Sequence, residues 1–277
     1  MFSYFSSSHP SSTKLRFVIA TLSLSLGVSL AHAAASNAPI ISNADLTQAG
    51  LLRMQIQRTG KLNLQVRLSV LPRQSALLLT QNIEQIENTF QHLAQLPHIE
   101  NDPILLRTLN RANKSWSSYK EALKQPTLPA ANLYAQSESL DQILSQLNAR
   151  LENIAPNPQP YLIILAQRQT MMSQRMAKLY LLTQMGFTHA GMGVDLAQTR
   201  NEFMSGMRIL KNLQIANPQA SDQLSLANSQ WIFYDNALKN LHRQDTNYRQ
   251  DIATTSERIT ELMNAMVSET GQKLASN

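Results

Sequence analysis

The chain lacks cysteine altogether and is poor in glycine and in charged residues. None of its 277 residues is cysteine, eight are glycine, and 15% are charged. The absence of cysteine excludes disulfides, thiolate zinc sites, iron–sulfur clusters and cysteine nucleophiles. The six histidines show no metal-ligand spacing, so the sequence predicts no metal centre.

Two glycine-dependent motifs of enzymes are also missing. There is no Gly-rich phosphate-binding loop and no Gly-x-Ser-x-Gly nucleophile elbow. No acid–base or nucleophilic constellation can be assembled from the residues that remain. We therefore expect a protein that is not an enzyme, with no catalytic residue and no cofactor.

An apolar run, residues 17–30, follows two basic residues, Lys14 and Arg16, near the N-terminus. Its length suits a signal-peptide core and is short for a bilayer-spanning helix, which needs roughly 20 residues. Small residues up to Ala33 complete the pattern that a signal peptidase reads. We therefore expect residues 1–33 to be a cleaved signal peptide and the mature chain to be exported and periplasmic.

The charge balance adds little about partners. The formal net charge is +6, and the basic residues are spread along the chain rather than clustered. Together with export, this spread argues against nucleic acid as a partner. A modestly basic exported protein is compatible with small anionic ligands or with an acidic surface.

Prolines lie between the stretches of helical periodicity, as expected at helix boundaries, and no stretch predicts a strand. The fold class is therefore all-α. The predicted helices cover residues 45–70, 74–96, 103–124 after an N-cap at Asp102, 130–154, 161–185, 194–213, 221–242 and 247–274.

The second half of the chain repeats the first. Residues 112–123 recur as 227–238, with Trp and Tyr at the same spacing in both, and residues 54–61 recur as 171–178. The offsets, 115 and 117, agree within two residues, which indicates a duplication. Each unit has the length of one four-helix bundle. We therefore expect two tandem four-helix bundles, residues 42–155 and 159–275, which meet at the proline-rich linker of residues 156–160.

One face of the first helix has an unusual composition. Gly50, Arg53, Gln57, Gly60 and Leu64 are spaced three or four residues apart, so they share that face. Each glycine lowers the stability of a helix by about 1 kcal/mol relative to alanine. Because glycine has no side chain, it allows another helix or a ligand to approach the backbone closely. Arg53 would then point into a seam, where a guanidinium requires an anion: either a side-chain carboxylate or a diffusible ion.

The fifth helix carries the corresponding face without the arginine. Gln167, Thr170 and Gln174 are polar at the same level, while Arg168 and Arg175 lie on neighbouring faces. No acidic residue occurs in residues 50–73 or 159–193 that could pair with these arginines locally. Two interpretations remain open: a free anion supplies the charge, or the arginines reach solvent or acidic residues of other helices.

These two segments resemble a known sensor family. Residues 46–58, LTQAGLLRMQIQR, resemble the P-box of nitrate/nitrite sensor histidine kinases of the NarX kind. Residues 166–178, AQRQTMMSQRMAK, resemble the matching segment of the PilJ-type domain of type IV pili methyl-accepting chemotaxis transducers. The resemblance implies a four-helix sensor domain, present here in two tandem copies.

The resemblance also implies a ligand site. In the nitrate sensors the first helices of two subunits meet and an arginine from each binds one nitrate; Arg53 matches that arginine, Gly50 the glycine beside the anion, and Arg58 the second arginine of the box. This chain departs from the family at Gln48, Ile56 and Thr170. Thr170 occupies the position at which a second anion-binding arginine would be expected. The predicted ligand-binding residues are Gly50, Arg53, Met54, Gln57, Arg58, Thr170, Met171, Gln174 and Arg175.

Two functions follow as expectations. The first is an exported sensor-type protein that binds a small anion such as nitrate or nitrite and acts through a membrane-bound sensor kinase or chemoreceptor. The alternative is a non-catalytic interaction module that has kept the fold and lost anion binding. Two geometries remain open for the site. It forms either inside a single chain, where the two tandem copies meet, or in a homodimer, where the first helices of two chains meet.

Overall fold

The computed structural model describes residues 41–155, 160–188, 191–213, 215, 217–243 and 245–275, with side chains up to Thr270. Within these ranges all regular structure is helical, as predicted. In chain order the helices are α1 (Asn43–Arg67), α2 (Pro72–Ala94), α3 (Pro97–Glu100), α4 (Pro103–Leu123), α5 (Ala130–Ile154), α6 (Tyr161–Gln184), α7 (Met192–Asn212), α8 (Pro218–Lys239) and α9 (Thr246–Ala275). The predicted signal peptide and residues 156–159 of the linker lie outside the described residues.

Polar caps set the starts of several helices. The Oγ of Ser42 accepts a hydrogen bond from the amide of Asp45, and the Asp45 carboxylate accepts one from the amide of Ser42, which is a capping box. Asp102 caps α4 as predicted, and Asn217 caps α8 immediately before Pro218. These caps satisfy amides that have no partner within the helix.

The end of the first helix differs from the sequence prediction. Helix α1 ends at Arg67 rather than at residue 70, because Ser69 and Leu71 take positive φ angles of 56° and 48° and turn the chain sharply. Helix α2 then begins at Pro72, two residues earlier than predicted. The short helix α3 was not predicted either.

Helices α1 and α6 form the centre of the fold. α1 packs against α2, α5 and α6, while α6 packs against α1, α7 and α9; α4 lies on α5, and α8 lies on α9. Apart from Arg58, every residue from 54 to 65 is buried, and so is every residue from 169 to 184 apart from Arg175. Over these residues both central helices are therefore covered on nearly all sides, although each carries many polar side chains.

The core runs through both halves of the chain. One cluster of buried apolar side chains includes Trp116 and Tyr119 from α4 and Tyr234 from α8. The helices of both halves belong to one compact unit. No helix in the described part of the chain is long and apolar enough to cross a membrane.

Candidate functional site: the Arg53 cleft and its ion clusters

The glycines of α1 lie where other helices approach most closely. A Cβ placed on Gly50 would lie 2.5 Å from the Oε1 of Gln167 on α6, and one on Gly60 would lie 2.9 Å from the Cδ of Lys178. The close approach predicted from the sequence is therefore to α6 of the same chain. The Gly50 face of α1 is covered by this internal pairing.

Arg53 has a carboxylate partner from another helix. Its Nε and Nη2 donate to the two carboxylate oxygens of Asp141 on α5, at 3.0 and 2.9 Å. The Arg53 side chain is 26% exposed and that of Asp141 is 14% exposed, so the pair lies at a boundary with solvent. The sequence left open whether a side-chain carboxylate or a diffusible anion balances Arg53; in the structure Arg53 pairs with the carboxylate of Asp141.

The Arg53–Asp141 pair borders a polar cleft between α1, α5, α6 and α7. We call it the Arg53 cleft; its volume is about 540 Å³. Its charged lining consists of three guanidiniums, from Arg53, Arg168 and Arg175, and four carboxylates, from Glu138, Asp141, Glu152 and Glu202. Ser145, Asn148 and Gln167 add neutral hydrogen-bonding groups. Such a lining suits a small polar ligand.

The base of the cleft is held by a partly buried cluster around Glu138, a residue of α5. Its carboxylate accepts from the Nζ of Lys178 at 2.6 Å and from the Nη2 of Arg175 at 2.7 Å. Lys178, whose side chain is fully buried, also donates to the Oγ of Ser137 at 2.7 Å. We call these residues the Glu138 cluster.

Neighbouring positive charges, rather than burial, determine the ionisation state of Glu138. Burial raises the pKa of a carboxyl group, but Lys178 and Arg175 outweigh it and lower the pKa of Glu138 to about 2. Burial lowers the pKa of Lys178, and the charge of Glu138 opposes that shift. The cluster is therefore a mutually dependent set of charges that links fully buried Lys178 to the base of the cleft.

A second cluster repeats this arrangement around Glu257 on α9. Its carboxylate accepts from the Nη2 of Arg58 at 2.6 Å and from the Nζ of Lys61. Lys61 also donates to the Oγ of Ser256 at 3.1 Å. Burial raises the pKa of Glu257, but Lys61 and Arg58 outweigh it and lower the pKa to about 2. We call these residues the Glu257 cluster.

The clusters correspond position by position, and each joins the two halves. Lys61 and Lys178 occupy equivalent positions of the repeat, as do Glu138 and Glu257. Lys61 belongs to the first half but takes its carboxylate from α9 in the second, whereas Lys178 belongs to the second half and takes its carboxylate from α5 in the first. The halves are therefore linked by reciprocal ion pairs.

The Arg53–Asp141 pair does not repeat. At the equivalent positions α6 carries Thr170 and α9 carries Thr260. The Oγ1 of Thr170 donates to the carbonyl of Gln167, and that of Thr260 donates to the carbonyl of Ser256, so neither threonine replaces the ion pair. The two members of the pair are present together in one half and absent together from the other.

The predicted ligand-binding residues come together only in part. Four of the nine line the Arg53 cleft: Gly50, Arg53, Met171 and Arg175. Met54, Gln57, Thr170 and Gln174 are buried between helices outside its lining. Arg58 belongs to the Glu257 cluster instead.

Sequence reasoning missed the carboxylates of the site, which come from α5, α7 and α9. One signal was available for two of them. The dipeptide Ser137-Glu138 recurs as Ser256-Glu257 at an offset of 119, close to the offset of the other repeated motifs. Nothing comparable marks Asp141, because its partner Arg53 lies 88 residues away in the chain and has no counterpart in the repeat.

The described residues include no group of His, Asp or Glu placed to hold a metal ion. Comparison with protein-family models, curated proteins and solved structures found no match to this chain.

Proposed function

We propose that the chain is an exported, sensor-type ligand-binding protein whose site is the Arg53 cleft. Its ligand is a small planar oxyanion such as nitrate or nitrite, and it acts through a membrane-bound sensor kinase or chemoreceptor. The protein is non-catalytic and periplasmic in this proposal. The resemblance of residues 46–58 and 166–178 to the sensor family, described above, is the source of the ligand class.

One observation carries the proposal: the fork-to-fork pairing of Arg53 with Asp141 at the edge of an open cleft. A guanidinium presents two parallel N–H donors to a planar oxyanion, and a carboxylate and a nitrate ion offer the same planar pair of acceptors. A nitrate ion that enters the cleft would therefore take the place of the Asp141 carboxylate on Arg53. Binding would release Asp141 and change how α5 is tied to α1, which is a change that a partner can read.

The tandem four-helix-bundle arrangement belongs to the same proposal. Helices α1, α2, α4 and α5 would form one bundle, and α6 to α9 the other. The packing partners support this division, because α1 contacts α2 and α5 as α6 contacts α7 and α9. The direct contact between α1 and α6 would then stand where two subunits meet in the related sensors.

Thermal unfolding of residues 34–277 tests the ligand. Midpoints are compared with and without 10 mM nitrate, nitrite, sulfate, chloride or acetate at matched ionic strength. A ligand present at 100 times its Kd stabilises the native state by about 2.7 kcal/mol. We expect a rise selective for nitrate or nitrite that is lost in Arg53→Ala.

The matched control is Arg150→Ala. Arg150 makes a similar pair with Asp102, its Nε and Nη2 lying 3.1 and 2.7 Å from the Asp102 Oδ2, but it does not line the cleft. This variant should keep the anion response. Equal midpoints in all five anions would contradict the ligand proposal.

The second candidate is the non-catalytic interaction module that has lost anion binding. The neutralised state of Arg53 favours it, because a guanidinium already paired with Asp141 has less need of a free anion. In that case Arg53→Ala lowers the midpoint by the same amount with and without every anion. The same experiment thus separates the two candidates.

A further inference from the structure

Helix α8 exposes three large apolar side chains on its outer surface. Leu226 is 48% exposed, Ile232 is 68% exposed and Phe233 is 64% exposed. Leu226 and Phe233 are seven residues apart and share one face, and Ile232 lies about 100° further round the exposed side of the helix. The inward side of the same helix is occupied separately, since Tyr234 is fully buried and donates to the carbonyl of Ser173.

The internal repeat shows that the fold does not require these apolar residues. The equivalent helix α4 carries Arg111, Ser117 and Ser118 at these three positions, and all three are exposed. The buried Trp116 and Tyr119 of α4 nevertheless correspond to Trp231 and Tyr234 of α8. The same helix position therefore packs its inner side in both halves, while only the second half has an apolar outer side.

We propose that this outer face of α8 is a dimer surface, on which a second copy of this chain docks with its own α8 antiparallel. Residues 223–234 contain no charged residue, so nothing along the middle of the face opposes contact with another apolar helix. Exposed groups of large apolar side chains on a protein surface often mark sites of protein–protein contact. This inference does not depend on what the Arg53 cleft binds.

The antiparallel direction follows from the order of residues along the face. When two such helices pair about a twofold axis between residues 229 and 230, Leu226 of each copy lies opposite Phe233 of the other. Asp222 of each copy then lies within about one turn of the other copy's Lys239, which has the opposite charge and remains 63% exposed beside its pair with Asp235. A parallel pair would instead bring like charges together at both ends. The face is thus complementary to itself in apolar contact and in charge.

The first test measures mass in solution. Light scattering during size-exclusion chromatography of residues 34–277, over a hundredfold range of concentration, should show a dimer that dissociates on dilution. The variant Leu226→Arg/Ile232→Ser/Phe233→Ser installs the residues that α4 carries and should be monomeric throughout, with unchanged helix content by circular dichroism. The control is Leu77→Ser/Val194→Ser, which removes exposed apolar residues from α2 and α7 and should stay dimeric.

The second test fixes the direction and does not depend on the triple variant folding. The chain has no cysteine, so any disulfide comes from an introduced one. Ser229→Cys lies next to the proposed axis and should form an intermolecular disulfide on mild oxidation. Asn236→Cys should not, because antiparallel pairing separates the two copies of that residue by roughly 20 Å along the helix axis.

Every result of these two tests either supports or overturns the proposed dimer. A dimer that the triple variant abolishes, with a disulfide at Ser229→Cys alone, supports the proposal. A protein that is monomeric at every concentration overturns it, and so does a triple variant that folds and remains dimeric. Equal disulfide formation at both positions also overturns it, because that result requires a parallel pair.

Discussion

The Nζ of Lys178 lies 2.6 Å from the Oε1 of Glu138. Lys178 is fully buried on α6, and Glu138 comes from α5 on the other side of the linker. Lys61 and Glu257 repeat the relationship with the halves exchanged. A lysine buried in this way is tolerated only when its charge is balanced, so the two clusters make each half depend on the other.

Glu138→Gln should therefore destabilise the protein strongly. The substitution removes the balancing charge and leaves Lys178 buried without it, for which the expected loss is about 3–5 kcal/mol. Urea unfolding followed by circular dichroism measures the loss as a lower midpoint at an unchanged slope. Glu257→Gln should have a similar effect, because Lys61 is then in the same position. Arg258→Ala is the control: its pair with Glu261 is exposed, and the expected change is within about 0.5 kcal/mol. A loss no larger than that of the control would show that the Glu138 cluster is not needed for stability.

Stability should fall as the pH is lowered from about 5 to 2. Glu138 and Glu257 have pKa values of about 2 in the folded protein, against about 4.3 for an unperturbed glutamate. Because the folded pKa is the lower one, the stabilisation is fully present above the unfolded pKa and is lost as the pH falls through the folded one. Unfolding free energies from urea titrations between pH 7 and pH 2 measure this loss. The single variant Glu138→Gln should show a shallower decline, and an identical decline would exclude this carboxyl group as a source.

Gly60→Ala should destabilise the protein, although alanine is the better helix former by about 1 kcal/mol. The new methyl group would lie 2.9 Å from the Cδ of Lys178 and 2.9 Å from the Oη of Tyr119, and both side chains are fully buried and held in place. Overpacking of this kind costs about 1–3 kcal/mol, which urea unfolding can resolve. Gly193→Ala on α7 is the matched control, because no atom lies within 4 Å of the added methyl group. That variant should be neutral or slightly more stable; a stabilised Gly60→Ala would mean that α6 can move away from α1.

Asp141→Asn should increase the response to nitrate or nitrite. The substitution removes the carboxylate that occupies Arg53 and leaves the guanidinium available to a planar anion. The anion-induced rise in the unfolding midpoint should exceed that of the wild-type protein, although the variant is less stable without anion. Arg53→Ala/Asp141→Asn should show no rise. If Asp141→Asn also shows none, Arg53 is not an anion site and the interaction-module function is favoured.

Local sequence features predicted several parts of this structure correctly. Proline positions and the cap at Asp102 located the helices, because these effects act within one turn of the backbone. The spacing of Gly50 and Gly60 predicted a closely packed face on α1, which meets α6. The corner at Ser69 and Leu71 was not predictable, since both residues adopt a left-handed conformation that neither favours.

The carboxylates that pair with the arginines and lysines of the two central helices could not be predicted from sequence patterns. Arg53 and Asp141 are 88 residues apart, and Arg58 and Glu257 are 199 apart. No periodicity connects positions so distant, and the predicted ligand site was accordingly built from the two arginine-bearing helices alone. Helical lysines such as Lys61 are usually exposed, so burial on a central helix is not indicated by residue type.

Local spacing in the sequence was enough to predict the helical class and the approximate helix limits, and likeness between segments was enough to identify the repeated motifs. The tertiary structure alone decided which charges neutralise which. It placed α1 and α6 at the centre, where a charge must find its partner within the protein, and it brought Asp141 to Arg53 and the acid of each half to the lysine of the other. That assignment depends on how helices distant in the chain pack together, and the cost of an unpaired charge in the interior is the physical reason it is so specific.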